Sequence, residues 1–273
     1  MRTLQTVVIS VASCAVLAVH LAGQAKVQTI QGPELEEFLK SAKLVSFTEI
    51  GKGVTRSRKA NLELNGVTEG ALFKIIDEKP MSGITTLEDG RIDAEFQDSW
   101  KTEVAAYELD KMIGLGMVAA TVERRLGTQV GSLQFWVTSV MTEKKRQKDN
   151  VRPSDPQAWN DQMNKLFVWD NLIFNVDRNL DNILITEQWT MIAIDHSRTF
   201  RPHARLQNPK QLTRFSRSLL AKLEQLKEPE LKARMGNYLS PFQIQGMLKR
   251  RDLILAAAKK LVAEKGEAAV MYQ

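Results

Sequence analysis

Hydrophobic and polar positions change their spacing along the chain, and the changes outline its elements. Residues 44–76 are strand-like: Leu62 and Leu64 alternate with Asn61 and Glu63, the period of a half-buried strand. Asn65-Gly66 then predicts a tight hairpin, because a type I′ turn needs positive φ at both central positions. The return strand, 71–76, is rich in apolar and β-branched residues, with Lys74 among them. Residues 77–97 carry Gly83, Gly90 and scattered acids and read as a loop. A helix is predicted over 99–114, with Asp98 or Ser99 as N-cap and Gly114 as its stop. Residues 133–141 form another apolar strand, and a basic polar stretch, 142–156, follows as a solvated inter-lobe loop.

Beyond that stretch helical spacing dominates. Trp159, Met163, Leu166, Phe167, Trp169, Ile173 and Phe174 place a helix over 157–174. A polar loop, 175–182, leads into a short hairpin, 183–194. Ser240-Pro241 supplies an N-cap and a first-turn proline for a long C-terminal helix, 242–264. Its basic cluster Lys249, Arg250 and Arg251 reads as a solvated face, as do Glu108 and Asp110 on the earlier helix. Strands with one helix, then a mostly helical half with a central hairpin, make an α+β two-lobed layout. The expected division is 26–142 for the small lobe and 143–273 for the large one.

Composition narrows the class. Hydrophobic residues are 43% and charged residues 26% of the 273, which excludes disordered, collagen-like and polytopic membrane chains. The single cysteine, Cys14, excludes an intramolecular disulfide and a cysteine zinc site. Three histidines, His20, His196 and His203, exclude a His-rich metal centre. The net charge of +6 is mildly basic; without finger motifs or interleaved aromatic and basic residues, it does not indicate nucleic acid. Between Arg2 and Lys26 the chain is uncharged and apolar, with Gly23 and Ala25 at −3 and −1. This is the pattern of a secretory signal peptide, 1–25, cut after Ala25. A lipoprotein site at Cys14 or an uncleaved anchor are the alternatives. All three export the domain, and membrane contact would come only through this segment.

The densest chemistry lies in 175–195. Asn182 enters the predicted hairpin and Asp195 leaves it, so the two side chains can converge, with Asp177 five residues upstream on the loop. An amide oxygen and a carboxylate beside a second carboxylate suit Mg²⁺ or Mn²⁺ carrying phosphates. The remaining carboxylate can then orient a hydroxyl nucleophile. Lys74, amid apolar strand neighbours, needs an acidic partner or a snorkelling edge. Glu103, on the following helix, can be that partner, in the ion pair that kinases use to reach phosphates. Gly51 and Gly53 allow backbone amides to approach a phosphate, without the spacing of a P-loop.

Taken in order, Gly51-x-Gly53, Lys74, Glu103, the DRxxxN run from Asp177 to Asn182, and Asp195 resemble an atypical protein-kinase-like fold. The run resembles phosphatidylinositol 3/4-kinases, especially type II 4-kinases, and equally the secretory-pathway kinases of the Golgi casein kinase kind. Asp195, Arg198 and Phe200 are close to the DNxRxF form of the second group. The stretches 103–115 and 131–134 are similar to bacterial members of this clan. The chain departs from the pattern at Asn179, where the lipid kinases carry histidine, and at His196-Ser197, where a DFG-like glycine is absent. The resemblance implies a phosphotransferase using ATP with Mg²⁺ or Mn²⁺. Lys74 would contact the α/β-phosphates and Glu103 would hold Lys74. Asp177 would be the catalytic-loop base, Asn182 and Asp195 would bind the metal, and Gly51 and Gly53 would cover the phosphates. The partner is a hydroxyl acceptor on protein, lipid head group or sugar. A nucleotide- or partner-binding pseudokinase, and nucleotidyl transfer on the same scaffold, are the rival expectations.

Overall fold

The computed structural model describes residues 32–50, 57–79, 84–86, 92–94 and 96–273. The signal-like segment 1–25 and the pair Gly51 and Gly53 lie outside these described residues. Chain order is α1 (Gly32–Ser41), β1 (Lys43–Glu49), β2 (Arg58–Leu64), β3 (Val67–Lys74), β4 (Asp77–Glu78), β5 (Ile84–Thr86), β6 (Ile92–Ala94), β7 (Asp98–Ser99) and α2 (Trp100–Ile113). There follow β8 (Thr121–Leu126), β9 (Gln129–Phe135), β10 (Met141–Thr142), α3 (Glu143–Lys148), α4 (Pro156–Ile173), β11 (Ile183–Ile185) and β12 (Met191–Ala193). The end of the chain holds β13 (Phe215–Ser216), α5 (Arg217–Gln225), α6 (Glu228–Met235), α7 (Pro241–Lys265), α8 (Glu267–Val270) and β14 (Met271–Tyr272).

The first half is an antiparallel sheet ordered β1-β2-β3-β9-β8. Its β2–β3 turn is the predicted one: Asn65 has φ 52° and Gly66 φ 82°, and Leu64 pairs with Val67. Alternation buries Ala60, Leu62, Ala71, Phe73, Val122 and Leu133 against α1. Helix α2 runs as the caps dictate. The Ser99 hydroxyl accepts from the Lys101 amide, and Gly114 closes the helix at φ 61°. The second half is helical around the sheet β10-β11-β12, with a separate core of Trp169, Leu172, Phe200, Phe215, Ile244 and Met247 among others. The α+β two-lobed architecture is the expected one.

Several local expectations are corrected. The small-lobe half carries α1 in addition to α2, and β8 was not anticipated. Strand β9 ends at Phe135 rather than 141: the Trp136 amide turns to Gly70 O at 3.0 Å, and Trp136 and Val140 are exposed. The apolar run therefore merges a strand end with the connection to β10. Residues 77–97 contain short strands rather than only loop. The basic stretch after Thr142 holds a helix, α3, because Thr142 caps it and Glu143 and Asp149 pair with Arg146 and Lys145. Asp110 is buried, as is Arg250; neither belongs to a solvated face. Glu108 is largely covered and pairs with Lys111 at 2.9 Å and Arg234 at 3.2 Å.

Candidate active site

Lys74 closes β3 opposite Ser132 of β9. Beside it Gly131 approaches so closely that a Cβ there would sit 2.1 Å from Lys74 O. The Lys74 ammonium donates to Glu103 Oε1 at 2.5 Å and to Asp195 Oδ1 at 2.7 Å. Glu103 comes from the first turn of α2, where a carboxylate also favours the helix dipole. Burial alone would lower Lys74, but the Glu103 and Asp195 carboxylates outweigh it and hold the ammonium well above its ordinary value. Burial would likewise raise Glu103; Lys74 and then His196 outweigh it and keep that carboxyl well below the usual range.

The hairpin β11–β12 brings its two ends together. Ile183 pairs with Ala193, and the Ile194 amide donates to Asn182 O at 3.0 Å. Asn182 Nδ2 lies 3.5 Å from Asp195 Oδ2. Rotating that amide would present its oxygen to the same point. Asp195 has φ 59° and Phe200 φ 58°, left-handed backbone that non-glycine residues adopt at a cost. This strain brackets the segment that carries the carboxylate. Asp177 sits at the cleft edge, its amide held by Asn175 Oδ1 at 3.0 Å. Arg198 donates to Asp177 Oδ2 at 3.1 Å and to Asp98 Oδ2 at 3.0 Å, tying the loop to β7.

Five of the predicted residues therefore meet: Lys74, Glu103 and Asp195 directly, Asn182 through Asp195, and Asp177 through Arg198, whose charge also feels Asp195. Among the described residues no group of three or more His, Cys, Asp or Glu could hold a metal ion. Asn182 and Asp195 offer two hard oxygen donors on the cleft, with the Asp195 side chain 36% exposed. That donor set is too small for a free-standing ion and fits a Mg²⁺-like ion whose remaining ligands are phosphate oxygens and water.

Three supporting residues, Asp170, His196 and Asp110, escaped sequence reasoning in these roles; a fourth, Arg178, was already readable beside Asp177 as a brace of the catalytic loop or the partner of an acid. Asp170, in the last turn of α4, receives Arg178 Nε at 3.1 Å and Nη2 at 3.1 Å. Arg178 Nη1 reaches on to Ile194 O at 2.7 Å and Asn182 O at 3.3 Å, gripping both hairpin ends. His196 is fully buried among Trp169, Arg178 and Glu103, and burial pushes its pKa down. Asp110 accepts from the amides of Gly116, Met117 and Val118 at 2.8–2.9 Å. Met117 O in turn receives the Ala193 amide at 2.7 Å, so α2 is docked on the hairpin. Only the tandem Asp177-Arg178 carried a sequence signal; the other partners lie too far apart in the chain.

No protein-family model matches the sequence, and no curated protein matches it. Solved structures do. The fold is similar to that of hydra Fam20, solved with sugar, with a TM-score of 0.66 and 15% identity over 87% of this chain and 91% of that one. It is also similar to the proinflammatory kinase CtkA of Helicobacter pylori, with a TM-score of 0.51 and 12% identity over 84% of this chain and 98% of that one. At these identities the likeness is one of fold: an atypical, kinase-like, two-lobed architecture. Among the described residues no helix is long and apolar enough to cross a membrane.

Proposed function

We propose that this protein is an ATP-dependent phosphotransferase that moves the γ-phosphoryl group to a hydroxyl of a protein, lipid head group or sugar. The observation that carries the reading is Lys74 held between Glu103 and Asp195 at 2.5 and 2.7 Å, across the two halves of the fold. Lys74 would meet the α/β-phosphates, with Glu103 fixing its direction. Asp177 would accept a hydrogen bond from the acceptor hydroxyl and take its proton as the phosphoryl group leaves ATP. A divalent ion held by Asn182 and Asp195 would neutralise charge on the phosphates. Positioning and charge stabilisation then supply the catalysis. Gly51 and Gly53 would cover the phosphates. The sugar in the hydra Fam20 structure keeps sugar hydroxyls among the acceptors. The signal-like segment 1–25 supports an exported location, and the motif resemblance supports kinship with lipid 4-kinases and bacterial kinases.

One observation favours a second reading. Asp195 Oδ1 is already engaged by Lys74 and by Ser197 Oγ at 3.3 Å, as suits a pseudokinase that binds nucleotide without transfer. Thermal unfolding separates the outcomes. Wild type with ATP and Mg²⁺ or Mn²⁺ at a hundred times the dissociation constant should gain ~2.7 kcal/mol, and Asp195→Ala should lose the metal-dependent part. Phosphoryl transfer in an acceptor screen supports the kinase; binding without transfer supports the pseudokinase. A folded wild type that no nucleotide or metal stabilises overturns both.

A further inference from the structure

Two buried polar atoms at the site face each other without a partner: Glu103 Oε2 and His196 Nδ1, 3.8 Å apart. The other face of the same imidazole is crowded. His196 Nε2 lies 3.3 Å from Trp169 Nε1 and 3.1 Å from Arg178 Nη2. Indole and guanidinium nitrogens can only donate. Nε2 must therefore carry a lone pair, which excludes the imidazolium and leaves the ring hydrogen on Nδ1. That hydrogen points at the one free oxygen of Glu103, whose other oxygen holds Lys74.

On the far side, Arg178 is anchored by Asp170 and grips the carbonyls of Asn182 and Ile194. The ring thus stands between the ion pair of the small lobe and the hairpin ends of the large one. Thr102 Oγ1 lies within 3.0 Å of the carbonyls of His196 and Ser197, so α2 also holds the backbone that carries the ring.

We propose that His196 is a positioning residue that couples Lys74–Glu103 to Asn182 and Asp195 through Arg178, as a neutral imidazole with its hydrogen on Nδ1. A phenylalanine would fill the volume but could neither accept from Arg178 nor turn a polar hydrogen toward Glu103. The functional consequence rests on the phosphotransferase reading: the nucleotide that orders Lys74 and the ion that sits on Asp195 would each strengthen the other's binding. The tautomer and its contact with Glu103 do not depend on that reading.

Nitrogen NMR of the full chain with labelled histidine tests the contact without any ligand. The chain has three histidines, and the signals lost in His196→Gln identify the one in question. Hydrogen on Nδ1, a bare Nε2, and an Nδ1 signal that moves in Glu103→Gln are expected. Hydrogen on Nε2, or an Nδ1 signal indifferent to Glu103→Gln, overturns the proposal even in the wild-type fold. The second arm measures how far Mg²⁺ or Mn²⁺ tightens ATP in wild type, His196→Gln, Glu103→Gln and the double variant. His196→Gln should lose roughly tenfold of that tightening, and the double variant should lose little more than either single one. Additive losses overturn the coupling. If wild type binds no ATP, the phosphotransferase reading fails while the NMR arm still decides the contact.

Discussion

Lys74→Met removes one charge from a buried triad and keeps the aliphatic stem. Glu103, 1% exposed in its side chain, is left with His196 as its nearest polar neighbour. Asp195, at 36%, can turn to water, so its share of the loss is screened. Breaking a buried pair by deleting one partner costs about 3–5 kcal/mol, and the screened third member puts this case near ~3 kcal/mol. For a chain of this size that lowers the melting temperature by roughly 6–12 °C. The pH dependence carries the sharper test. In wild type Glu103 is held below its ordinary 4.5, so its contribution is complete above that pH and lost as pH falls below it. In Lys74→Met, burial is no longer outweighed and the folded value rises above the unfolded one. The folded state then gains a proton that the unfolded chain lacks, and stability returns as pH falls through the raised value, by at most ~1.4 kcal/mol per pH unit. Melting curves by circular dichroism from about pH 7.5 to 5.5 should show the gap to wild type narrowing. His196 also faces Glu103, so Lys74→Met/Glu103→Gln, which keeps His196, isolates the carboxylate: it should melt above Lys74→Met at pH 7.5 and lose the narrowing. A gap that stays constant or widens on acidification would refute the buried-pair account.

Asp110→Ala leaves three amides, those of Gly116, Met117 and Val118, without their acceptor; at about 1 kcal/mol or more each, urea unfolding should shift by roughly 3 kcal/mol. Hydrogen exchange should lose protection at 116–118 first. Gly131→Ala drives a methyl against Lys74 O, which is backbone and cannot step aside; β3 should be displaced, with loss of stability and of any ATP-dependent thermal shift, read together by calorimetry. Arg250→Met should destabilise by several kcal/mol, since the guanidinium donates to Leu172 O at 2.7 Å and Arg201 O at 2.9 Å and also bonds His203 O. The loss is partly offset by relief of burying that charge, whose pKa is pushed down to about 9; a variant as stable as wild type would show that the offset is complete.

The elements that were legible in the sequence are those whose signals are local. Asn65-Gly66, Ser99 with Gly114, and Ser240-Pro241 each act within a few residues, and all three sit where the chemistry of turns and caps requires. The hairpin 183–194 was legible for a related reason: short apolar strands on either side of a polar turn leave one antiparallel pairing. From it the meeting of Asn182 and Asp195 follows, and at 3.5 Å they do meet. Lys74 with Glu103 was readable as a question, because a lysine among apolar neighbours demands a carboxylate. What periodicity cannot report is which partner answers when the partner is backbone from a distant segment. Asp110 and Arg250 occupy helix positions that look solvated by composition. One is buried under three amides from the loop after α2, the other under carbonyls from α4 and the segment after Phe200.

The same reasoning explains why the supporting frame of the site was hidden while its centre was visible. Asp170, Arg178 and His196 contribute through contacts such as Asp170 to Arg178, 8 positions apart, Arg178 to His196, 18 apart, and Trp169 to His196, 27 apart, and no spacing rule links them. Yet the frame determines how the centre can work. Arg178 binds the two ends of the hairpin by the carbonyls of Asn182 and Ile194, so these bonds occupy neither the Asn182 nor the Asp195 side chain. Asp110 fixes the loop that receives the Ala193 amide, which sets the height of α2, and of Glu103 on it, above the hairpin. Lys74 is then the adjustable member. It is a flexible stem between two carboxylates, one buried and one a third exposed; on the phosphotransferase reading, an ion at Asp195 would release it from that carboxylate while Glu103 kept its partner.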